Sequence, residues 1–239
     1  MDYLYVTIIA FIGSFIQSTS GFGFAAFCMA LWPLVIPFRQ AVAMEVITAF
    51  VMVAYLSIRL FRHINFKLLL FPFLSSIVFS SLGVFLLLTG AETVLRRILG
   101  LALVLLAVYF IFFNGVFKIK PTKVNGLIAG GASGLLAGLF AIGGPPIVIY
   151  LMSATDDKMT YNATLQSFFF FTSIPIFIMH LAMGNVTGTT MAYSGIALIG
   201  VLAGSVVGLH FFRKLPMNAV RKAASGLMAV IGIYLTIKG

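Results

Sequence analysis

The sequence predicts an all-α integral membrane protein built as two inverted repeats, each a re-entrant broken-helix hairpin followed by three transmembrane helices. Three observations predict it: an extreme apolar composition, two overlong apolar segments interrupted by glycine about 120 residues apart, and a lopsided distribution of Lys and Arg. Of 239 residues, 62% are apolar, 14% aromatic and 8% charged. Runs such as Leu68 to Leu88 are long enough to cross a hydrocarbon core of roughly 30 Å as helices. A β-barrel would alternate apolar and polar residues instead.

Apolar runs between charge clusters divide the chain into eight segments, roughly 3–38, 41–60, 68–88, 98–117, 124–154, 162–183, 191–212 and 223–237. At about 1.5 Å per residue, 3–38 would make a helix of about 54 Å and 124–154 one of about 46 Å. Either is too long for one comfortable crossing and too short for two. Each carries a glycine break near its middle, "SGFGF" (Ser20 to Phe24) and "AIGGPP" (Ala141 to Pro146). Glycine is weak in helices and proline lacks the backbone donor, so both sites are expected to interrupt a helix.

The register continues downstream. Glu45 and Gln166 are 121 apart, and Ser80/Ser205, Gly83/Gly208, Arg96/Arg221, Arg97/Lys222 and Tyr109/Tyr234 are 125 apart. The chain is therefore read as one transmembrane domain, 1–239, holding internal repeats 1–120 and 121–239 joined near "KIKPTK" (Lys118 to Lys123).

Lys and Arg cluster at the ends of apolar runs, so the net charge of +10 is topogenic and no nucleic-acid partner is expected. If all eight segments crossed, the positive charges would divide seven against eight. If 3–38 and 124–154 enter and leave by the same face, one side keeps Arg39, Arg96, Arg97 and Lys238 and the other collects the remaining eleven. That asymmetry predicts six spans plus two re-entrant hairpins, with both termini outside. Three spans per half make the repeats inverted, an arrangement common in secondary transporters.

Irregular backbone at membrane depth survives only inside protein or beside a water-filled cavity, because unsatisfied amides are costly in lipid. The paired breaks therefore predict a substrate pathway with the two hairpin tips approaching each other. Free N–H groups where each second half-helix begins favour an anion. Pro145 and Pro146 donate nothing, so the first break, with the hydroxyls of Ser18, Thr19 and Ser20, is the richer cradle. Gln17, Ser18, Thr19, Ser20, Gly21, Gly23 and Phe24, with Gly143, Gly144 and Gln166, are the candidate substrate-binding residues. Gln17 and Gln166 fit equally a ligand role and an interhelical hydrogen bond. The glycines of Gly126 to Leu139 read as helix packing.

Glu45 is the one acidic residue within a span, a candidate for proton coupling or for structural pairing with Arg39. His180 and His210 read as interfacial. The single cysteine, Cys28, excludes an internal disulfide, and no metal-ligand spacing, nucleotide loop or catalytic motif is present, so neither a cofactor nor an enzyme is expected.

"SGFGFAAFCMALWP" (Ser20 to Pro33) opening the first half and "GLFAIGGPPIVIYLM" (Gly138 to Met152) opening the second resemble the sulfite exporter TauE/SafE family. The resemblance covers nearly the whole chain, although Phe22 and Phe24 interrupt what is usually a denser glycine cluster. It implies transport of sulfite or an organosulfonate across the cytoplasmic membrane. The partners expected are that small sulfur anion, membrane lipid and, for so short a transporter, a second copy as a homodimer. A passive anion channel is the alternative.

Overall fold

A computed structural model describes residues 2–113, 119–211 and 217–238. Those residues form ten α-helices and no strand: α1 (Asp2–Ser20), α2 (Phe24–Leu31), α3 (Phe38–Arg59), α4 (Phe66–Thr89), α5 (Glu92–Val108), α6 (Lys123–Phe140), α7 (Gly144–Ala154), α8 (Lys158–Ala182), α9 (Gly188–Phe211) and α10 (Met217–Lys238). A 3-10 turn, Trp32–Leu34, follows α2, and a π-helical turn, Tyr109–Phe113, extends α5. Six helices among the described residues are long and apolar enough to cross a membrane: α3, α4, α5 with its π turn, α6, α8 and α9.

Helix starts follow local chemistry. Asn65 accepts from the Lys67 and Leu68 amides to open α4, and Thr122 accepts from Asn125 N to open α6. Asp157 opens α8, accepting from Thr160 N at 2.9 Å and Met159 N at 3.4 Å. The Thr160 hydroxyl also donates to Asp157 at 2.7 Å, and these bonds hold its carboxyl below the ordinary carboxylate range.

Both expected interruptions are present. Gly21 N donates to Gln17 O to close α1, and Gly21 and Gly23 take φ of 88° and 116°, conformations that a side chain would strain. At the second break Ala141 takes φ 60°, its amide donating to Ala137 O and that of Ile142 to Leu136 O, which satisfies the last carbonyls of α6. After each break the chain turns back along the helix it has left. Cys28 Sγ lies 3.9 Å from Ile9 O, and Ser153 Oγ accepts from Ile119 N. The arms are unequal, 19 and 8 residues in the first unit and 18 and 11 in the second. The long arms are about 27–29 Å each, close to a full hydrocarbon thickness. α6 stays helical through its many glycines because α4 packs directly on them.

Small residues permit that packing. Gly130, Gly134 and Gly138 of α6 meet the backbone of Pro72, Ser76 and Ser80 of α4, and Gly200, Gly204 and Gly208 of α9 meet α1 at Thr7, Phe11 and Phe15. Residue numbers rise together along both contacts, so each pair is parallel. α5 and α10 pair through Gly100 and Gly232. At the centre α3 and α8 run antiparallel, joined by Ser57–Ser167 at 2.8 Å and by Phe50 against Phe170 and Phe177. Together with the connections, these directions sort the helix ends onto two faces. Of the basic residues, the Arg39 face holds Arg39, Arg96, Arg97 and Lys238; the Lys67 face holds Arg59, Arg62, Lys67, Lys120, Lys123 and Lys158. Lys118, Arg213 and Lys214 lie outside the described residues, as do the side chains of Arg221 and Lys222.

Candidate functional site

The two breaks meet. A methyl on Gly144 would sit 3.7 Å from Phe22 Cβ, so the turn after α1 touches the start of α7. Beside this contact lies a cavity of about 80 Å³, walled by Gln17, Phe22, Gly23, Ala25 and Ala26 of the first unit and Ala137 and Ala141 to Pro145 of the second. α3 contributes Glu45, Val46, Ala49 and Val53, and α8 contributes Phe168, Phe169, Thr172, Ser173 and Ile176. A water needs only ~10–15 Å³ by the same measure, so the space suits an ion of a few heavy atoms.

Gln17 and Gln166 form the framework of the first break. Gln17 Nε2 donates to Gln166 Oε1 at 3.2 Å, while Gln17 Oε1 accepts from Phe24 N at 3.1 Å. Gln166 Nε2 donates to Gly21 O at 2.7 Å and to Asn162 Oδ1 at 2.9 Å. Gln166 has no exposed surface and does not line the cavity, whereas Gln17 does. These bonds lock the irregular backbone between α1 and α2 onto α8.

The other expected residues are spread around this framework. Gly23, Gly143 and Gly144 are in the cavity wall. Gly21 lies behind it, against Asn162, Tyr161 and Leu165. The Phe24 ring is buried edge-on against Trp32, so of the two phenylalanines at the first break it is Phe22 that lines the cavity. Ser18 packs on Gly208 of α9, and Thr19 Oγ1 donates back to Phe15 O and Ile16 O. The side chain of Ser20 lies outside the described residues. At the second break Ser133 Oγ donates to Gly143 O.

Glu45 is 1% exposed, reaches the cavity, and has no hydrogen bond or ion pair to its carboxyl among the described residues. Arg39, the partner considered from the sequence, instead donates to Gly90 O at 3.1 Å. In the first turn of α2, Gln17 holds Phe24 N and Gly23 O holds Phe27 N. The amides of Ala25 and Ala26, both cavity residues, have no partner among the described residues. They are uncharged donors suited to an anion. Sequence reasoning missed Thr172 and Ser173, although a hydroxyl pair within "FFFFTSIP" (Phe168 to Pro175) is a visible polar interruption. Among the described residues no group of three or more His, Cys, Asp or Glu is placed to hold a metal.

No curated protein and no solved structure matches the chain. The family model described as sulfite exporter TauE/SafE matches residues 6–235, and a match over nearly the full length makes this multi-pass membrane protein a member of that family.

Proposed function

We propose that the chain is a secondary transporter that moves a small sulfur-containing oxyanion, sulfite or an organosulfonate, across the cytoplasmic membrane by alternating access around the two breaks. The observation that carries this reading is the cavity itself, walled by irregular backbone from both breaks, near residues 22 and 142, and holding one unpaired carboxyl, Glu45. Family membership supports the substrate class.

The inverted-repeat reading, halves 1–120 and 121–239, draws support from the way helices pair. Exchanging the halves turns the α1–α9 contact into α6–α4 and the α3–α9 contact into α8–α4, and leaves the α3–α8 and α5–α10 contacts unchanged. Returning arms of 8 and 11 residues suit re-entrant units that leave by the face they entered. With the Lys67 face cytoplasmic, both termini lie outside.

The anion sits in the cavity beside the Phe22–Gly144 contact, against the Ala25 and Ala26 amides and the Gln17 side-chain amide, with the Thr172 and Ser173 side chains in the facing wall. An ionised Glu45 about 5 Å from it would cost about 3 kcal/mol at an effective dielectric of ~20, roughly a hundredfold in affinity. Glu45 therefore carries a proton whenever the anion is bound, and the two move together.

Proteoliposomes loaded with labelled sulfite, sulfonates or thiosulfate test the reading. Saturable flux that is lost in Gly23→Leu and Gly143→Leu is expected, with Glu45→Gln removing the dependence of flux on a pH gradient while anion binding persists. Absence of saturable flux for every anion refutes the function. Flux without accumulation against a gradient identifies a passive channel instead.

A further inference from the structure

α8 presents Thr172, Ile176 and His180 at four-residue spacing, one above another on one face. Thr172 and Ile176 line the cavity. His180 is the next position toward the Arg39 face. Its side chain is 1% exposed, and neither ring nitrogen has a hydrogen-bond partner. Read from the sequence as interfacial, it is inside the protein. An imidazole always offers at least one donor, and in its neutral form an acceptor as well, so in this closed arrangement it is a polar group with nothing to bind.

On α8, Ile176 separates the cavity residue Thr172 from His180, and it belongs to a small apolar cluster apart from the main core: Val46, Val84 and Ile176, with Leu88, Ala137 and Ala141 packed against it. Val46, Ile176, Ala137 and Ala141 also line the cavity. This plug is thus the cavity wall toward the Arg39 face, and His180 lies on its outer side.

We propose that His180 is a proton-binding site of the gate: it takes a proton from water at the Arg39 face when the Val46–Val84–Ile176 plug opens, and the plug closes again only after that proton has left. A neutral imidazole without partners already disfavours the closed form, and a charged one in the same apolar setting disfavours it far more. Opening brings water to both nitrogens, so protonation and opening favour each other by linkage.

Few other charges compete. The elements packed on α8 are α3, with Arg39, Glu45, Arg59 and Tyr55 beneath Arg59; α4, with Lys67; α7, with Tyr150; and the 3-10 turn Phe61–His63, with Arg62 and His63. Arg39 is engaged with Gly90 O, Glu45 lines the cavity on the other side of the plug, and Arg59, Lys67, Arg62 and His63 lie at the opposite face. Tyr150, in the returning arm, faces Gly126 near that same opposite face. On α9, joined to α8 by a short turn, Tyr193 packs on Tyr3 and His210 is at the far end.

The inference rests on the transport reading only for what passes the gate; its titration is measurable without flux. In a Cys28→Ala background, a cysteine at the buried plug position, Val84→Cys, is labelled with a maleimide from the Arg39 face in nanodiscs, normalised to exposed Met183→Cys. Labelling is expected to rise between pH 8 and pH 5.5 by up to about tenfold per pH unit, the limit one linked proton sets. In His180→Gln and His180→Phe the normalised rate is expected to be flat. Gln keeps a polar side chain of similar size, so it carries the test if the Phe protein is not monodisperse. The same slope in His180→Gln, or no slope with His180 present, overturns the proposal. A slope that depends on His180 in a protein with no anion flux retains the gate and refutes the transport reading instead.

Discussion

Replacing Gln166 with Leu separates a strut from a ligand. Leu keeps most of the volume, so the loss falls on hydrogen bonds. The substitution takes the acceptor from Gln17 Nε2 and the donor from Gly21 O and Asn162 Oδ1, in a place where Gln166 itself has no exposed surface. An unsatisfied buried group costs about 1–3 kcal/mol, and three at the lower figure come to about 3 kcal/mol. For a chain of this length about 2–4 °C is lost per kcal/mol, so the apparent melting temperature should fall by about 6–12 °C. Size-exclusion thermostability in detergent reads this directly. Gln17→Leu removes its bond to Gln166 and the acceptor for Phe24 N, and because the two share a bond the double variant should lose less than the sum of the singles. A Gln166→Leu protein that melts within about 2 °C of the parent but binds anion about tenfold more weakly would refute the strut and make Gln166 a substrate ligand.

Three further outcomes follow from packing and capping. A methyl on Gly134 would lie 2.5 Å from Ser76 O and 2.7 Å from Ser76 Cα, so Gly134→Ala must push α4 and α6 apart and should destabilise by about 1–3 kcal/mol, read as a drop in detergent melting temperature. Gly195→Ala, with nothing within 4 Å of the added methyl, should be neutral or gain up to about 1 kcal/mol in helix propensity. At the start of α8, the capping bonds of Asp157 belong to the carboxylate; because its pKa is depressed in the fold, their contribution is complete above the unfolded value of 3.8 and is lost as pH falls through the lower folded value. Hydrogen exchange of Met159 and Thr160 should therefore be faster in Asp157→Ala at neutral pH, and the parent should lose its protection relative to the variant only in acid.

The breaks were legible because Gly21, Gly23 and the Gly143–Pro146 run are residues that helices avoid, and the spacing of about 120 residues tied them together. Which side chains turn toward the cavity was not, although helical phase sets a limit. Gln17, Ser18 and Thr19 point about 100° apart, so once Gln17 faces the cavity the other two must look elsewhere, toward Gly208 and the α1 backbone. Thr172 and Ser173 escaped notice because hydroxyls in apolar helices usually bond their own backbone, as Ser173 does to Phe170 O while still reaching the wall. His180 was misplaced for a different reason. Its nearness to a segment end points to the interface, but burial depends on what α3 and α4 bring against it, which no local pattern records.

The parallel seating of α1 on α9 has a consequence for biosynthesis. Thr7 waits for Gly200 and Phe15 for Gly208, partners synthesised about 190 residues later. At roughly 5–20 residues per second, α1 and its turned-back extension spend about 10–40 s without the helix that completes them. α4 and α6, by contrast, are separated by one helix and meet almost as soon as they emerge. Assembly is thus expected to proceed from the middle of the chain outward, with the first helices made among the last to dock.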